Sequence, residues 1–263
     1  MGDGKALQMG TSHNLGQNFA KPFNVTFLDR AGNREFPWST SWAVTTRLIG
    51  AIVMVHGDAK GLRLPPRIAP TQAVIVPIWR RDEERVKVAA QVEEVQGDLS
   101  QAAVRVHVDW RDQVTPGFKF NDWELRGVPV RIEIGPRDVD RGQVVIARRD
   151  TAGRETVEVP GASDRVQALL EEIQRSLLRD AREYLEEHTA SAAAWDELVR
   201  ILGEQRGFVW VNWCDSAECE AKLAGEKATV RAIPLHDAEA TPTGPCICCG
   251  QAAQFRCVVA RSY

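Results

Sequence analysis

Two parts of this chain carry residue types whose spacing could do chemistry: a set of cysteines near one end and a dense polar run at the other. All six cysteines fall in the last fifth of the 263 residues. Cys214 and Cys219 form one arm, and Cys246-Ile247-Cys248-Cys249-Gly250 forms a second. Four thiolates around a tetrahedral Zn2+ leave no coordination position for water, so two such arms in one domain read as a closed structural metal site. The second arm allows more than one pairing. Cys246 with Cys249 gives the usual two-residue gap and keeps a glycine after the last ligand, whereas Cys248 could take the place of Cys249. The preferred ligand set is Cys214, Cys219, Cys246 and Cys249. Cys257 alternates with Phe255 and Val259 and reads as a buried apolar side chain. At the other end, Gln8, Thr11, Ser12, His13, Asn14, Gln17 and Asn18 crowd together, as they would around a small polar ligand. Thr11 and His13 are two apart and project from one face of a strand; Gln8 has the opposite parity and needs a bulge or its own length to join them.

Three segments must position these groups: 1–70, 71–160 and 161–263. In the first, Phe23 to Leu28 alternates toward a strand, Ala31-Gly32-Asn33 turns, and Thr40 to Arg47 is extended. Arg47 to His56 reads as an apolar helix closed by Gly57-Asp58, and Pro65-Pro66 with Pro70 makes a rigid exit. In the second, Ala73 to Ile78 is an apolar run fit for a buried strand and Arg81 to Val95 a charged helix. Val104 to Val108, Val128 to Ile134 and Gln143 to Arg148 then alternate as strands, and this strand–helix–strand order implies a small α/β layer structure. The third opens with a helix through Val166, Leu169, Leu170, Ile173 and Leu177, with Ser163 placed to cap it. A second helix follows around Trp195 to Leu202, then a strand from Phe208 to Trp213 that leads into the first cysteine.

Composition sets the outer bounds. Hydrophobic residues at 44% and charged residues at 26% are those of an ordinary globular protein and exclude a disordered chain. A net charge of −3 argues against a surface coated with positive field, although arginines concentrate from Arg126 to Arg154 and local faces are what steer a phosphate backbone. No apolar run approaches the ~20 residues of a membrane span. The start Met1-Gly2-Asp3-Gly4 lacks the order of a secretory signal, so a cytoplasmic protein with no membrane partner is expected.

The run from Gly4 to Lys21 resembles the late active-site segment of prolyl-tRNA synthetases of the eukaryote-like and archaeal type. Thr40 to Ala51 resembles motif 3 of class II synthetases, and it is followed by Val55 to Leu62 and Leu64 to Pro70 as in that family. The resemblance implies that Gln8, Thr11 and Thr45 contact ATP, that Arg47 lies against its triphosphate, and that His13 contacts proline. A guanidinium suits that task because it is planar, permanently charged and able to pair two phosphate oxygens. Thr115 to Pro129, continued by Arg131 to Asp138, resembles the anticodon-binding domain of the same family. Phe120, Glu124, Arg131, Arg137 and Asp138 would then face the anticodon. Phe120 would stack, Glu124 or Asp138 would accept from guanine, and the arginines would donate to base or phosphate.

The fold implied is α/β and α+β in several domains. Residues 1–70 would be the C-terminal part of a class II antiparallel catalytic domain, 71–160 an α/β anticodon-binding domain and 161–263 an α+β zinc-binding domain. The activity implied is ATP-dependent activation of proline and its transfer to tRNA-Pro, with Mg2+, in a protein that is a homodimer at full length. Nothing in the sequence resembles motifs 1 and 2, so the chain alone is expected to be inactive. A non-catalytic tRNA-binding protein built from the anticodon and zinc modules is the alternative. The terminal Tyr263 resembles that of family members, where its position is tied to the catalytic domain.

Overall fold

The polar run at the start of the chain forms β1 (Gly10–Gly16). Residues 17–25 then make helical turns, with the Lys21 amide on the Gln17 carbonyl and the Phe23 amide on the Phe19 carbonyl. The strand expected from Phe23 is therefore cut to β2 (Phe27–Leu28), because local hydrogen bonds capture the preceding backbone and Asn24 takes a left-handed φ of 51°. β2 forms a short hairpin with β3 (Arg34–Glu35) around the expected turn. β4 (Ser39–Val44) returns antiparallel to β1, with Gly10 opposite Val44 and His13 opposite Ser41. α1 (Arg47–His56) follows with the bounds the apolar run suggests, and Ala51 is its buried residue. The computed structural model describes residues 1–204, 207–235 and 240–262. It groups them into two units, residues 1–51 with 188–263, and residues 52–187.

The second unit is built on a five-stranded sheet. Its elements are β5 (Ala73–Pro77), α2 (Asp82–Gln101), β6 (Val106–Val108), α3 (Pro116–Leu125), β7 (Val130–Ile134), α4 (Pro136–Asp140), β8 (Gln143–Arg148), β9 (Arg154–Glu158) and α5 (Val159–Glu187). The strand order is β6-β5-β7-β8-β9. β5 runs parallel to β6 and β7, and β7, β8 and β9 are antiparallel neighbours. Period-two alternation sorts the side chains by face. Ala73, Ile75, Val130, Ile132, Ile134, Val144 and Ile146 join α2 and α5 in the main core, while Val74 and Val76 pack with Val128, Phe120 and Trp123 on the other face. The β5–α2–β6 crossover thus lies on one face and α3 on the opposite one.

The units do not follow the three-segment division expected from the sequence. α5 contributes Val159, Ala162, Val166, Leu169, Leu170, Ile173 and Leu177 to the core of the sheet, so this unit extends to Glu187. The helix also starts before the expected cap: Pro160 fits its first turn, where no N–H partner is needed, and the Ser163 hydroxyl donates to the Asp98 carbonyl instead (3.4 Å). Residues 52–70 belong here too. The Leu62 and Leu64 amides donate to the Leu125 and Gly127 carbonyls at 3.0 and 3.1 Å. That close approach explains Gly127, whose φ is +75° and where a Cβ would come within 2.6 Å of Leu62.

The remainder of the first unit contains β10 (Thr189–Ser191), α6 (Trp195–Glu204), β11 (Phe208–Trp213), α7 (Ala217–Gly225), β12 (Ala228–Ala232) and β13 (Phe255–Arg261). The sheet order is β10-β11-β13-β12. β11 alternates cleanly, with Val209, Val211 and Trp213 buried against Leu198, Leu202, Leu223 and the fully buried Cys257 and Val259. The start of the chain is tied to this sheet: Ala6 bridges Ser262, its amide donating to the Arg261 carbonyl at 2.9 Å. Tyr263 lies outside the described residues. Among the described residues no helix is long and apolar enough to cross a membrane.

Candidate functional site

The cysteine arms converge. Cys214 follows β11 directly, and Asp215 turns the chain through a left-handed φ of 62° into α7. The Ser216 hydroxyl caps that helix by accepting the Cys219 amide at 3.2 Å, which holds Cys219 in the first turn. The second arm is a tight turn, closed by the Gly250 amide on the Cys246 carbonyl (2.9 Å) and anchored by the Ile247 amide on the Asn212 carbonyl (2.9 Å). The sulfurs of Cys214 and Cys219 are 3.5 Å apart, Cys214 and Cys249 3.8 Å, and Cys219 and Cys246 3.9 Å. Tetrahedral thiolates about 2.3 Å from a zinc ion stand roughly 3.8 Å from one another, so the donor set fits Zn2+. A disulfide would need about 2.05 Å, and the cysteines are free. Cys248 turns its sulfur to the Cys219 carbonyl instead (3.6 Å). The Ser216 hydroxyl and amide bring the Cys214 thiol down to about 6, favouring the thiolate that a metal requires. Against the Ser216 hydroxyl, which lowers it, burial and the adjoining sulfurs push Cys219 up to about 12.

The polar groups of the opening run form a second cluster. Gln8 lies just before β1, and its amide reaches the Thr11 hydroxyl at 2.9 Å, so its own length overcomes the parity. Arg47 Nη1 donates to the Gln8 carbonyl at 3.1 Å, and the Arg47 amide to the Thr45 hydroxyl at 3.3 Å. Gln8, Thr11, Thr45 and Arg47 are thus brought together; His13 follows Thr11 along β1 on the same face. Arg47 makes no ion pair with a carboxylate among the described residues, which leaves its guanidinium available to an anion.

In the second unit the five anticodon candidates divide into two groups. Glu124 and Arg131 line a cavity of about 170 Å3 together with Lys60, Trp123 and Arg154. The Arg131 guanidinium lies over the Phe120 ring, 4.3 Å from its centroid. Arg137 and Asp138 sit instead at the end of β7, where Asp138 accepts the Gly135 amide at 2.9 Å and Arg137 is exposed. Sequence reasoning missed two neighbours of these residues. Lys60 pairs with Glu124 at 3.2 Å across 64 positions, which no local pattern could reveal. Glu133 is buried and bridges Arg131 (3.0 Å) and Arg154. Its i+2 spacing from Arg131 was the available signal. Two arginines of the basic stretch are committed elsewhere: Arg148 to Asp150 and Glu172, and buried Arg149 to Asp58 at 2.7 Å. Arg149 holds the Asp58 carboxyl down to about 2.

Residues 72–169 match the family model described as anticodon binding domain, and residues 195–263 match that described as prolyl-tRNA synthetase, C-terminal. The chain is 48% identical over 267 residues to a proline–tRNA ligase of Roseiflexus sp. (strain RS-1), covering 100% of this chain and 55% of the relative. Against the proline–tRNA ligase of Natranaerobius thermophilus it is 47% identical over 251 residues, 95% of this chain and 51% of the relative. Against that of Symbiobacterium thermophilum it is 49% identical over 271 residues, with shares of 100% and 55%. The chain therefore spans about half the length of the curated relatives it matches. It belongs to the prolyl-tRNA synthetase family, matching its C-terminal portion in a mixed α/β fold that holds the anticodon-binding and C-terminal domains.

Proposed function

We propose that this chain serves proline–tRNA ligation, recognising tRNA-Pro through residues 72–169 and supplying the motif 3 side of the activation site. The observation that carries the reading is the group Phe120, Arg131 and Glu124 beside one cavity, within the part of the chain matched as an anticodon-binding domain. Proline anticodons end in two guanines, whose Watson–Crick edges present N–H donors. Glu124 accepts from such a donor, the Arg131 guanidinium offers N–H groups to a carbonyl or ring nitrogen, and Phe120 backs that guanidinium. Lys60 keeps Glu124 in place until a base shares its carboxylate. Arg137 and Asp138 extend the surface along the end of β7.

In the first unit, residues 1–51 belong to a class II catalytic sheet. Arg47 receives the triphosphate of ATP, Gln8, Thr11 and Thr45 bind its polar groups, and His13 contacts proline. ATP with Mg2+ supplies the activated acyl phosphate, and the residues here contribute positioning and charge. Cys214, Cys219, Cys246 and Cys249 hold a structural Zn2+ that fixes the end of β11 to the turn at 246–250. The full-length setting is a cytoplasmic homodimer.

Binding of an RNA stem-loop carrying the proline anticodon tests the reading. Glu124→Ala and Arg131→Ala are each expected to weaken binding and to narrow the preference over a stem-loop whose two guanines are replaced. Unchanged affinity and preference in both variants would sink the assignment.

A further inference from the structure

Beyond the anticodon candidates, we propose a second RNA subsite at the carboxyl ends of β5 and β6, where Trp110, backed by Trp79, receives an unstacked base of a single-stranded loop. In open sheets with parallel strands, ligands settle outside the carboxyl ends of neighbouring strands whose following helices leave to opposite faces. In this sheet that point lies between β5, which feeds α2, and β6, which feeds α3 on the other face. Trp79 follows β5 and Trp110 follows β6, and their ring centroids are 6.2 Å apart.

The loop after β6 is held rigidly around an exposed ring. Asp109 is only 2% exposed. Its carboxylate accepts from Arg111 at 2.7 and 2.9 Å and from the Trp123 indole at 2.8 Å. Arg111 also donates to Asp122 at 2.8 Å. Lys119 is buried, donates to the Asp109 carbonyl at 2.9 Å and lies against the Trp79 ring, which Arg85 also approaches. The residues on both sides of Trp110 are therefore pinned while its own ring stays 39% exposed. A half-exposed tryptophan on an ion-paired loop presents a fixed π-face, the element that stacks single-stranded bases whatever their identity.

The occupant follows from the neighbours. The Ile78 amide continues the β5–β7 ladder onto the Ile134 carbonyl at 2.8 Å, so Trp79 stands one strand from Arg137 and Asp138, and Trp110 one strand further. At about 5 Å per strand the ring lies roughly 10 Å along the same edge. Arg80, Arg85 and Arg137 make no ion pair among the described residues, while Asp82, Glu83 and Asp112 are exposed on these same segments. Charge alone would not hold an anion there, so stacking is the main attraction and the cations orient the backbone.

The proposal rests on the anticodon reading only for the identity of the RNA. Stem-loops with the proline anticodon and with both guanines replaced are titrated against the full chain, Trp110→Ala, Trp110→Phe and Arg85→Ala. Trp110→Ala is expected to bind both stem-loops roughly tenfold more weakly, the size of one base–aromatic stack. The ratio between the two stem-loops and the salt dependence should stay as in the unsubstituted chain. Trp110→Phe should recover most of the affinity, and Arg85→Ala should lower the salt slope by about one. Unchanged affinity in Trp110→Ala overturns the subsite, as does a loss that Trp110→Phe does not recover and a lower melting temperature accompanies. An unsubstituted chain that fails to distinguish the stem-loops, while Trp110→Ala still weakens both, overturns the roles of Phe120 and Glu124 and leaves this subsite standing. Quenching by free mononucleotides with no effect of Trp110→Ala on stem-loop affinity also overturns it.

Discussion

β5 and β1 are strands of similar length with opposite surroundings. All five residues of β5 are buried, and none of the seven of β1 is. β5 reads Ala-Val-Ile-Val-Pro and is enclosed by α2 and α5 on one face and α3 on the other. β1 reads Gly-Thr-Ser-His-Asn-Leu-Gly and belongs to a two-stranded sheet with β4 as its partner. A lone pair of strands is marginal in water and leaves edges unpaired. Thr11 and His13, assigned to ATP and proline, therefore stand on a weakly self-supported pair of strands, with Gln8, Thr45 and Arg47 just beyond its ends, whereas the residues assigned to RNA belong to a unit whose sheet has its own core. Breaking each region separately tests that contrast.

The largest effect is expected at the cysteines. Zinc held there as proposed would add to the core around Val209, Val211 and Leu223, and structural zinc contributes about 10 kcal/mol or more to the folding of small domains. Removing metal with a chelator should abolish amide hydrogen-exchange protection in β11 and β13 while β5, β7 and β8 keep theirs. Protection retained in a chain shown to be metal-free would exclude the zinc site.

Next comes the core of the second unit. Leu169 is fully buried on α5 against the sheet. Leu169→Ala should cost about 2–5 kcal/mol through lost transfer energy and the cavity left behind. Urea denaturation followed by exchange in β5–β9 reads it directly. A cost below about 1 kcal/mol would mean that α5 is not part of this core.

These two regions also differ in how well the sequence reveals them. β5, β8 and β11 are legible because an apolar run or strict alternation follows from burial on two faces or one. α3 is not: its apolar residues Phe118, Phe120, Trp123 and Leu125 give no helical stripe, since Phe118 and Leu125 are exposed and the fully enclosed position is Lys119. β9 alternates Glu155 and Val157 with charged and polar residues because it is an edge strand. The start of α5 was hidden by Pro160, which reads as a breaker and here occupies a first turn. At the sites, the cysteine spacing and the polar run are local and visible. Lys60 beside Glu124 and Asp58 beside Arg149 are products of tertiary packing and leave no trace in spacing.

The Asp58–Arg149 pair ties the loop after α1 to the sheet and should matter less than the core. Arg149 is buried, and Asp58→Ala would leave it without that partner, at a cost of about 1–3 kcal/mol because Asp58 remains a third exposed. The carboxyl sits at about 2, below its ordinary 3.8. Its contribution is therefore fully present above pH 4 and lost as pH falls through about 2. Stability measured from pH 5 to pH 2 should decline less steeply in Asp58→Asn than in the unsubstituted chain. Parallel declines would remove the pair from the account.

The smallest effect should come from the exposed apolar residues of the β1–β4 sheet. Trp42 on β4 lies opposite Ser12 and is 76% exposed, and Trp38 just before that strand is 74% exposed. A side chain that buries little on folding contributes little to stability, whatever its size. Trp42→Ser should change the stability of the chain by less than about 0.5 kcal/mol, in contrast to the several kcal/mol of Leu169→Ala. It should also raise solubility, since a ring this exposed beside an unpaired edge favours self-association. Thermal melts and sedimentation of the two variants side by side read both effects. A loss above about 1 kcal/mol in Trp42→Ser would break the comparison, because it would mean that this face is covered in solution and that β1 draws its support from burial after all.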